Sequence, residues 1–383
     1  MKFESIYITY DGICEPISES QILPLINSLS KNRKIILISL ERKVKKKILN
    51  IVKNNKNILW FKYNYFSNKL VFLNFIILKY LNIKIFYLLK KHKIKIIHLR
   101  SLIPYISIMI PSLFYKVNII YDMRGFWIQE KIDRYNWNKN SIVVKTLKKI
   151  EIHLLKKSKK IICLTENSIK ILSSKYNLNI NKFTKIPTTV DLNLFKKNQN
   201  IKNKITNFCY LGTTKYAYDF NLLIKFFIEL KTNNISYNLF IISKDKINTN
   251  ILKNIGEDNY KILDLEREDV IKKLNSIDFG IFFLKNNKSV AASYPTKIGE
   301  FMSMGIPIIC NKFNTDFEKI FDKKNCFINY EQDSNILNVI DAIKSYKDNH
   351  KISSECISFA KEELNLENSN IKYKIIYDKI LNE

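Results

Sequence analysis

Glycine is scarce in this chain: 7 of its 383 residues are glycine, and proline is as rare, also with 7. Because average proteins contain roughly 7% glycine, each glycine kept here is expected to meet a particular need of the backbone. Gly12, Gly125 and Gly212 each follow the carboxyl end of a predicted strand. Open α/β sheets bind ligands at that edge, where glycine lets the backbone approach a phosphate or a sugar. A tight turn is the alternative role for any one of them.

Arginine is also rare, with six residues among the 64 basic ones. Three of them, Arg100, Arg124 and Arg134, fall in one stretch after consecutive predicted strands. Lysine would have served for solubility alone, whereas the planar guanidinium group suits a carboxylate or a phosphate. We therefore expect an anion-binding role for these arginines, with surface salt bridges as the alternative.

The six cysteines are scattered, form no C-x-x-C pair and lie mostly inside apolar runs. This pattern predicts buried free thiols rather than disulfides or a metal site, and hence a reducing, cytoplasmic compartment. The chain passes from Met1 directly into a strand-like run over residues 5–10, without a charged and then apolar leader. We therefore expect no export signal.

The net charge is +29, with a sequence pI near 9.6. Such a charge favours anionic surfaces and small anions, with binding that weakens as salt rises. Lysine, asparagine and isoleucine run through every segment, so much of this charge is compositional background. No zinc-finger spacing, bZIP basic region or aromatic RNA-binding signature is present. We therefore expect no nucleic acid partner.

The most apolar stretch covers residues 70–89 and is interrupted by Asn74, Lys79, Asn82 and Lys84. These polar residues argue against a helix that crosses a membrane. Two interpretations stay open for the stretch. It is either an amphipathic helix that lies on anionic lipid or an ordinary element of the core.

The length of the chain predicts two domains, because single cores seldom grow to this size. In both halves, short β-branched runs alternate with longer helical patterns, which predicts two parallel, doubly wound sheets. The predicted strands cover residues 5–10, 34–40, 94–98, 118–122, 160–164, 208–211, 238–243, 279–283 and 307–310. A stretch rich in lysine and asparagine, 196–204, is the expected linker. We expect domains over 1–195 and 196–365, and a final helix within 366–383 that can return to the first domain.

Six segments carry a resemblance to a known family, in the family's order. They are residues 10–21, 98–101, 121–130, 186–195, 210–216 and 292–307. The last one, Ala-Ser-Tyr-Pro-Thr-Lys-Ile-Gly-Glu-Phe-Met-Ser-Met-Gly-Ile-Pro, is the most distinctive. Together they resemble the family 4 glycosyltransferases of bacterial surface-polysaccharide pathways, in the branch with a Ser-x-Pro-Thr-Lys-x-x-Glu donor motif.

This resemblance implies a GT-B fold, in which two Rossmann-like domains face each other across a cleft. It also implies transfer of a sugar, with retention of anomeric configuration, from a UDP- or GDP-linked donor to a lipid-linked saccharide. The first domain then binds the acceptor and the second binds the nucleotide-sugar. The product would serve capsule, O-antigen, lipopolysaccharide or exopolysaccharide synthesis at the inner face of the cytoplasmic membrane.

The donor motif implies roles for several residues of the second half. Glu300 is expected on the nucleotide ribose, and Lys297 with Thr296 on the diphosphate, where the amino terminus of a helix attracts anions. The first glutamate of the family's motif falls on Ala292, so Ser293 is expected to contact the sugar. Alternatively, Lys297 is simply solvated and Glu300 is a first-turn acid favoured by the helix dipole.

The loop after Gly212 departs from the family's pattern. Many relatives place an arginine and a lysine there to bind the donor diphosphate, and these positions fall on Thr213 and Tyr218. Lys215 is therefore the expected substitute in this chain.

The first half supplies the implied acceptor side. Asp122 stands where many relatives have a histidine, and we expect it to act in catalysis with Arg124 and Glu130. An N-cap or a structural partner of Arg124 is the alternative role for Asp122. The other residues implied for acceptor binding are Asp11, Gly12, Arg100, Gly125 and Trp127.

No Asp-x-Asp pair lies at a predicted strand end. We therefore expect catalysis without a metal ion, with the helix and the lysines neutralising the leaving group, and no cofactor. Two alternatives keep the same architecture, since a fold does not fix its chemistry. One is a catalytically silent homologue that acts as a binding subunit, and the other is a nucleotide-sugar epimerase or hydrolase.

Overall fold

Two compact units make up the chain in the computed structural model, which describes residues 2–66, 72–198 and 203–383. Unit 1 consists of Met1–Ile132, Trp137–Ile186 and Glu367–Glu383. Unit 2 consists of Asp133–Asn136 and Pro187–Leu366. Each unit is built on one parallel sheet with helices on its faces.

The sheet of unit 1 has the strand order β3-β2-β1-β4-β5-β6-β7, and every ladder is parallel. Its strands are β1 (Ser5–Thr9), β2 (Ile35–Glu41), β3 (Ile58–Asn64), β4 (Ile96–Arg100), β5 (Asn118–Met123), β6 (Lys160–Cys163) and β7 (Phe183–Lys185). Its first helices are α1 (Pro16–Gln21), α2 (Leu23–Ser30), α3 (Lys46–Asn54), α4 (Phe72–Lys91), α5 (Pro111–Phe114), α6 (Trp127–Tyr135), α7 (Ile142–Lys157) and α8 (Glu166–Tyr176).

The central strands of unit 1 are buried on both faces. Every residue of β1, β2 and β4 is buried. Successive side chains point to opposite faces, so Ile6 and Ile8 join one apolar core while Tyr7 joins the other. This explains why these strands are continuous apolar runs rather than alternating ones, as is usual for parallel sheets.

The sheet of unit 2 has the order β10-β9-β8-β11-β12-β13, again with parallel ladders. Its strands are β8 (Thr206–Leu211), β9 (Tyr237–Ile242), β10 (Tyr260–Leu263), β11 (Phe279–Ile281), β12 (Ile308–Cys310) and β13 (Phe327–Asn329). Its helices are α9 (Phe220–Thr232), α10 (Arg267–Leu274), α11 (Thr296–Ser303), α12 (Thr315–Lys323), α13 (Ile336–Asp348) and α14 (His350–Glu363). Short 3-10 turns cover Ile103–Ser107, Ile180–Lys182, Thr249–Ile255, Glu257–Asn259 and Lys288–Ala292.

The last helix, α15 (Leu366–Asn382), packs within unit 1 from Glu367 onward. Its inward side chains Tyr373, Ile376, Tyr377 and Ile380 are all buried in the core beside α2 and α3. Asp378 forms an ion pair with Arg33 of the same unit. Unit 1 therefore needs the carboxyl end of the chain to complete its core.

The division between the units lies at Ile186 and Pro187, before the segment 187–195 that was expected in the first domain. The reason is a backbone bridge: Val190 donates to the carbonyl of Leu364 at 2.8 Å and accepts from Leu366 at 3.1 Å. Residues 199–202 of the expected linker lie outside the described residues.

The predicted pair of parallel, doubly wound sheets is confirmed. All six cysteines lie in the described residues and are buried free thiols, as predicted. Residues 72–89 of the apolar stretch belong to α4, while its residues 70 and 71 lie outside the described residues. In the part of the chain that the structure describes, no helix combines the length and apolar character needed to span a bilayer.

Gly280 lies in β11 directly beneath the aromatic ring of Phe301 on α11. A Cβ atom added at this glycine would lie 2.5 Å from Cδ2 of Phe301, closer than side chains tolerate. Phe301 is fully buried, so it has little room to move. We expect Gly280→Ala to lower the free energy of unfolding by about 1–3 kcal/mol through overpacking.

Urea unfolding of the whole chain measures this loss. Combining Gly280→Ala with Phe301→Leu should recover part of it, because the smaller side chain makes space. Unchanged stability of the single variant would contradict the close packing of α11 on β11.

Candidate functional site

In both sheets the strand order reverses beside the first strand of the unit, between β1 and β4 and between β8 and β11. Open α/β sheets bind their ligands in the loops at such a point, beyond the carboxyl ends of the strands. The candidate residues of unit 2 follow β8 and open α11. Those of unit 1 follow β1, β4 and β5.

Lys297 is the central residue of the unit 2 cluster. It is the second residue of the eight-residue helix α11, and only 4% of it is exposed. Its Nζ lies over three aromatic rings, 3.9 Å from the centroid of Tyr218, 4.6 Å from that of Tyr210 and 5.2 Å from that of Phe282. Among the residues that the structure describes, this Nζ has no hydrogen-bond acceptor. An aromatic cage therefore holds a buried ammonium group whose hydrogen-bond donors are unused.

Burial lowers the pKa of Lys297 to about 7, with a partial opposing effect from Glu300 and Cys209. Burying a charged ammonium group without a hydrogen-bonded partner costs free energy, so burial favours the neutral amine and lowers the pKa. A bound anion would supply both the missing charge and the missing acceptors. A strongly shifted pKa of this kind, at the start of a helix beside the carboxyl end of a strand, is typical of a functional site.

Gly212, the residue after β8, brings its backbone against Lys297. Its φ is +105°, a conformation that residues with side chains rarely adopt, and a Cβ atom there would lie 3.6 Å from Nζ of Lys297. Any larger residue would be strained and would cover the ammonium group. The structure thus brings together Gly212 and Lys297, two of the candidate donor residues.

Asp245 shapes the loop that follows Gly212. Its Oδ2 accepts hydrogen bonds from Oγ1 of Thr213 at 2.7 Å and from the backbone N–H of Thr214 at 2.8 Å. Burial works against ionisation of this carboxyl, yet the hydrogen bonds hold its pKa below the usual range. Lys215, the expected substitute cation in the loop, is exposed. The buried cation beside Gly212 is therefore Lys297 and not Lys215.

Glu300 follows Lys297 by one turn of α11 and is half-buried. Burial raises the pKa of this carboxyl, while the positive charges of Arg267 and Lys297 oppose the shift. Arg267, the first residue of α10, also lies with its guanidinium 5.4 Å from the ring centroid of Phe195. Sequence reasoning missed Arg267. Its rarity as one of six arginines was the available signal.

The remaining donor candidates flank the start of α11. Thr296 is its first residue, and Ser293 follows the 3-10 turn Lys288–Ala292. The Ser293 hydroxyl donates to the carbonyl of Ser289 at 3.4 Å, and its own carbonyl accepts from Asn314 at 3.2 Å. Ala292 is buried. A buried methyl group thus stands where the resemblance leads one to expect a glutamate.

Asp122 is the centre of the unit 1 cluster and is fully buried at the end of β5. Its Oδ2 accepts a hydrogen bond from Arg100 at 3.4 Å and lies 3.7 Å from Nε2 of His98, while its Oδ1 lies 3.5 Å from Nη1 of Arg124. Burial alone would raise the pKa of this carboxyl, but Arg124, His98 and Arg100 together hold it well below its usual value. Asp122 is therefore a buried carboxylate that pairs with two arginines.

Two tyrosines of α15 complete this network. The Tyr373 hydroxyl donates to Oδ2 of Asp122 at 3.1 Å, and the Tyr377 hydroxyl lies 2.9 Å from Nδ1 of His98. Burial lowers the pKa of His98, which favours the neutral imidazole. Neither tyrosine was singled out from the sequence, because they are more than 250 positions from their partners and no local pattern connects them.

Gly125, Trp127 and Glu130 stand at the start of α6. A Cβ atom added at Gly125 would meet the carboxylate of Glu130, so this carboxylate lies directly over the glycine backbone. The Trp127 ring packs edge-on against Trp137, with centroids 6.1 Å apart. Arg134 falls in the segment Asp133–Asn136, which belongs to unit 2, so it does not join Arg100 and Arg124 in unit 1.

The loop after β1 holds Asp11, which is exposed, and Gly12, which is buried. Glu41, at the end of β2, accepts hydrogen bonds from the backbone N–H groups of Ile13 at 2.8 Å and Cys14 at 3.3 Å. A Cβ atom at Gly12 would lie 2.5 Å from this carboxylate. Glu41 therefore fixes the loop, and sequence reasoning missed it. Over the described residues, no three His, Cys, Asp or Glu side chains cluster in a way that could hold a metal ion.

Comparison with known proteins places the fold. No protein-family model matches the chain, and no curated protein matches it in sequence. A glycosyltransferase from Rickettsia africae ESF-5 has a similar structure, with a TM-score of 0.68, 16% identity and 99% of each chain covered. HepE of Anabaena in complex with UDP gives a TM-score of 0.71 at 11% identity, covering 98% of this chain and 100% of HepE. WaaG, a glycosyltransferase involved in lipopolysaccharide biosynthesis, gives 0.66 at 12%, covering 96% and 99%.

These similarities extend over nearly the whole length of each chain. They confirm the predicted type of fold, the two-domain α/β fold that glycosyltransferases of the GT-B type share. Sequence identity is low throughout, so the likeness concerns the fold alone.

Proposed function

We propose that this chain is a retaining glycosyltransferase that uses a nucleotide-sugar donor and needs no metal ion. The observation that supports this most strongly is Lys297, a buried ammonium without an acceptor, held at the amino terminus of α11 beside the backbone of Gly212. The fold is one that nucleotide-sugar transferases use, and one of its structural relatives is recorded with UDP.

The chemistry explains why such a lysine is useful. Breaking the bond between a sugar and a nucleoside diphosphate leaves negative charge on the departing phosphate, and preorganised positive charge lowers that barrier. In our proposal Lys297 and the backbone N–H groups at the amino terminus of α11 bind the diphosphate. Glu300 accepts hydrogen bonds from the ribose hydroxyls, and Ser293 with Thr296 contacts the sugar and its phosphate. Because these groups supply the positive charge, no divalent cation is required.

The acceptor side is proposed for unit 1. Asp122 is enclosed by its cations, so we now assign it a positioning role in which it orients Arg100 and Arg124. Arg124, whose side chain is 13% exposed, and Glu130, which lies over Gly125, are the groups that would contact the acceptor. Asp11 and Gly12 at the end of β1 and Trp127 on α6 would complete the acceptor site.

The finer assignment follows the resemblance in the sequence. We propose a family 4 enzyme that moves a hexose from a UDP- or GDP-linked donor to a lipid-linked saccharide during the synthesis of a cell-surface polysaccharide. Its place would be the cytoplasmic face of the membrane. The structural likeness to WaaG, a glycosyltransferase involved in lipopolysaccharide biosynthesis, is consistent with such a pathway.

A catalytically silent homologue is the second candidate. It is favoured by Ala292 in place of the family's first glutamate, and by Thr213 and Tyr218 in place of its arginine and lysine. A silent homologue would bind a nucleotide-sugar without consuming it. An epimerase or hydrolase would consume the donor without any acceptor.

A binding screen tests the donor site. Thermal shift and calorimetry of the whole chain against UDP-, GDP-, CMP- and dTDP-sugars, with and without EDTA, should reveal one class of nucleotide that binds. Glu300→Ala should weaken that binding about tenfold or more, since it removes a charged acceptor. Glu318→Ala, which changes an exposed glutamate on α12, is the matched control and should leave it unchanged. No binding by any donor would contradict the proposed site.

A further inference from the structure

An exposed apolar surface covers α4 and α5 in unit 1. Ile76 is 56% exposed, Ile83 71%, Leu113 72% and Phe114 70%. The other exposed large apolar side chains of this surface are Phe75, Tyr80, Phe86, Tyr87 and Ile110. We call these residues together the α4–α5 surface. Exposed apolar residues are ordinary when scattered, but a concentration of this kind marks an interaction site.

Helix α4 is apolar on both sides. Leu78, Leu81, Ile85 and Leu88 face the core of unit 1. The outward residues at positions 76, 80, 83 and 87 recur at helical spacing, so they form one stripe on the opposite side. A helix that is apolar all round needs a second apolar environment besides its own core.

The two helices form one continuous surface. The ring of Phe86 on α4 lies 5.8 Å from that of Phe114 on α5 and 5.1 Å from that of Tyr115. Leu113 and Phe114 are the most exposed side chains of α5. The surface therefore combines the exposed apolar side chains of α5 with the longer apolar stripe of α4.

The charge of this region has one sign. Between Glu41 and Asp122 the sequence contains no aspartate or glutamate, so all 35 acidic residues of the chain lie elsewhere. The same interval, residues 42–121, carries seventeen lysine and arginine residues. Lys79, Lys84, Lys90 and Lys91 lie on α4 itself, and Lys116 follows α5.

A lysine-lined cavity of about 470 Å³ adjoins α5. Its cationic lining consists of Lys156, Lys157, Lys159, Lys160, Lys182 and Lys379, with Glu383 as the acidic member. Nζ of Lys157 donates to both the carbonyl and the hydroxyl of Ser112 on α5, each at 2.9 Å. Val117, three residues after Phe114, also lines the cavity. Positive charge therefore borders the apolar surface on this side as well.

We propose that the α4–α5 surface rests on a membrane leaflet that contains anionic lipid. Its apolar side chains would enter the boundary between headgroups and acyl chains, and the surrounding lysines would face the lipid phosphates. Contact with the leaflet would bring unit 1 to the membrane that carries the proposed lipid-linked acceptor. Only this link to the acceptor rests on the proposed function. Lipid binding itself does not depend on donor chemistry.

Two other occupants fit the surface less well. A second copy of this chain would bring two surfaces without acidic residues together, and their lysines would repel each other. A nucleic acid would need positive charge at the centre of the surface, where Ile83, Leu113 and Phe114 are exposed instead. A bilayer with anionic headgroups satisfies both the apolar centre and the cationic border.

Vesicle flotation with the whole chain tests the proposal. Vesicles of phosphatidylcholine with about one quarter phosphatidylglycerol should bind the protein, and vesicles of pure phosphatidylcholine should bind it much less. Raising the salt from about 0.1 M, where the Debye length is about 10 Å, to about 500 mM should weaken the binding, because the charges are then screened over a shorter distance. Ile83→Ser with Leu113→Ser should reduce binding about tenfold or more. Ile142→Ser with Leu337→Ser is the matched control, since these residues are 83% and 54% exposed outside the surface, and binding should persist.

Each contrary outcome has a definite meaning. Equal loss in the control variant, or equal binding to both vesicle types, would overturn the proposal. A dimer in size-exclusion chromatography that the Ile83 and Leu113 variant loses would identify a second copy as the occupant. Binding of an RNA homopolymer, lost in the same variant, would identify nucleic acid. Donor binding by calorimetry is measured separately, so failure of the donor site and failure of the membrane surface are distinguishable.

Discussion

Replacing Lys297 with methionine is expected to weaken the binding of the matching nucleoside diphosphate about 100-fold, because a charge-assisted contact to phosphate is lost from a buried site. The thermal stability of the protein should stay the same or rise, since methionine fills a similar volume without burying an unpaired ammonium. Calorimetry at pH 7 measures the affinity, and a thermal melt measures the stability.

Lys215→Met is the matched control for this experiment. Lys215 lies in the loop after Gly212 but is exposed. Its loss should change the affinity by less than about threefold, because solvent screens the charge of an exposed side chain. If the two variants lose affinity equally, the diphosphate is not bound at Lys297. If only Lys215→Met loses affinity, the original expectation from the sequence was right and our assignment is wrong.

The same lysine predicts how donor binding depends on pH. Burial lowers the pKa of Lys297 to about 7 in the free protein. A bound diphosphate would raise this pKa, so binding takes up a proton above pH 7. The affinity should therefore fall as the pH rises from 7, by up to about tenfold per pH unit. Calorimetric heats should differ between buffers of different ionisation enthalpy for the wild type and much less for Lys297→Met.

Replacing Asp122 with alanine is expected to lower the free energy of unfolding by about 3–5 kcal/mol, because it leaves the buried Arg100 and the largely buried Arg124 without their counter-charge. Tyr373→Phe should cost about 1–2 kcal/mol, since it removes one hydrogen bond to the same carboxylate. Denaturant unfolding of the whole chain measures both. Glu130→Ala, in a half-exposed position, should leave stability nearly unchanged and reduce transfer instead.

The contrary result is equally clear for Asp122. If Asp122→Ala is as stable as the wild type but inactive, the carboxylate takes part in the reaction and is not a positioning group. Loss of both stability and activity, with partial recovery of both in Asp122→Asn, would support the positioning role.

The buried network of unit 1 also sets the dependence of stability on pH. The pKa of Asp122 is lower in the folded protein than its value of about 3.9 in an unfolded chain. The stabilisation by Asp122 is therefore present above that pH and is lost on acidification. The pKa of His98 is also lowered by burial. Its contribution is present above the unfolded value of about 6.5 and falls below it. On acidification these two groups should therefore lower the melting temperature, His98 below about pH 6.5 and Asp122 below about pH 3.9. Glu151, whose pKa burial raises to about 7, acts in the opposite direction.

The sequence identified the elements whose residues are buried on both sides. The predicted strands at 34–40, 118–122 and 160–164 agree with β2, β5 and β6 to within one residue at each end. Strand β3 was missed because it lies at the edge of the sheet, where half-buried aromatic residues are interrupted by exposed polar residues such as Lys62. Strands β7, β10 and β13 were also missed, and they lie at sheet edges as well. Strands β11 and β12 are as short as β7 and β13, but they lie inside the sheet and were predicted.

The residues of the candidate site likewise fall into those that the sequence identified and those that it missed. Gly212 and Lys297 were singled out because each stands next to a strand end or a helix start, and those positions meet at one edge of the sheet. Arg267 reaches Glu300 electrostatically only through the packing of α10. Tyr373 and Tyr377 reach unit 1 only because α15 returns to it. Contacts of this kind depend on tertiary structure, so the local sequence does not reveal them.

The central claim is that the chain transfers a sugar from a nucleotide-sugar, and ³¹P NMR of donor consumption in the presence of EDTA tests it most directly. The donor found in the binding screen would be incubated with the protein, with and without a lipid-linked saccharide extract. We expect release of the nucleoside diphosphate to be slow with the donor alone, to accelerate with the extract, and to be abolished in Lys297→Met. Donor that is bound but never consumed, or consumed equally fast without the extract, would contradict it.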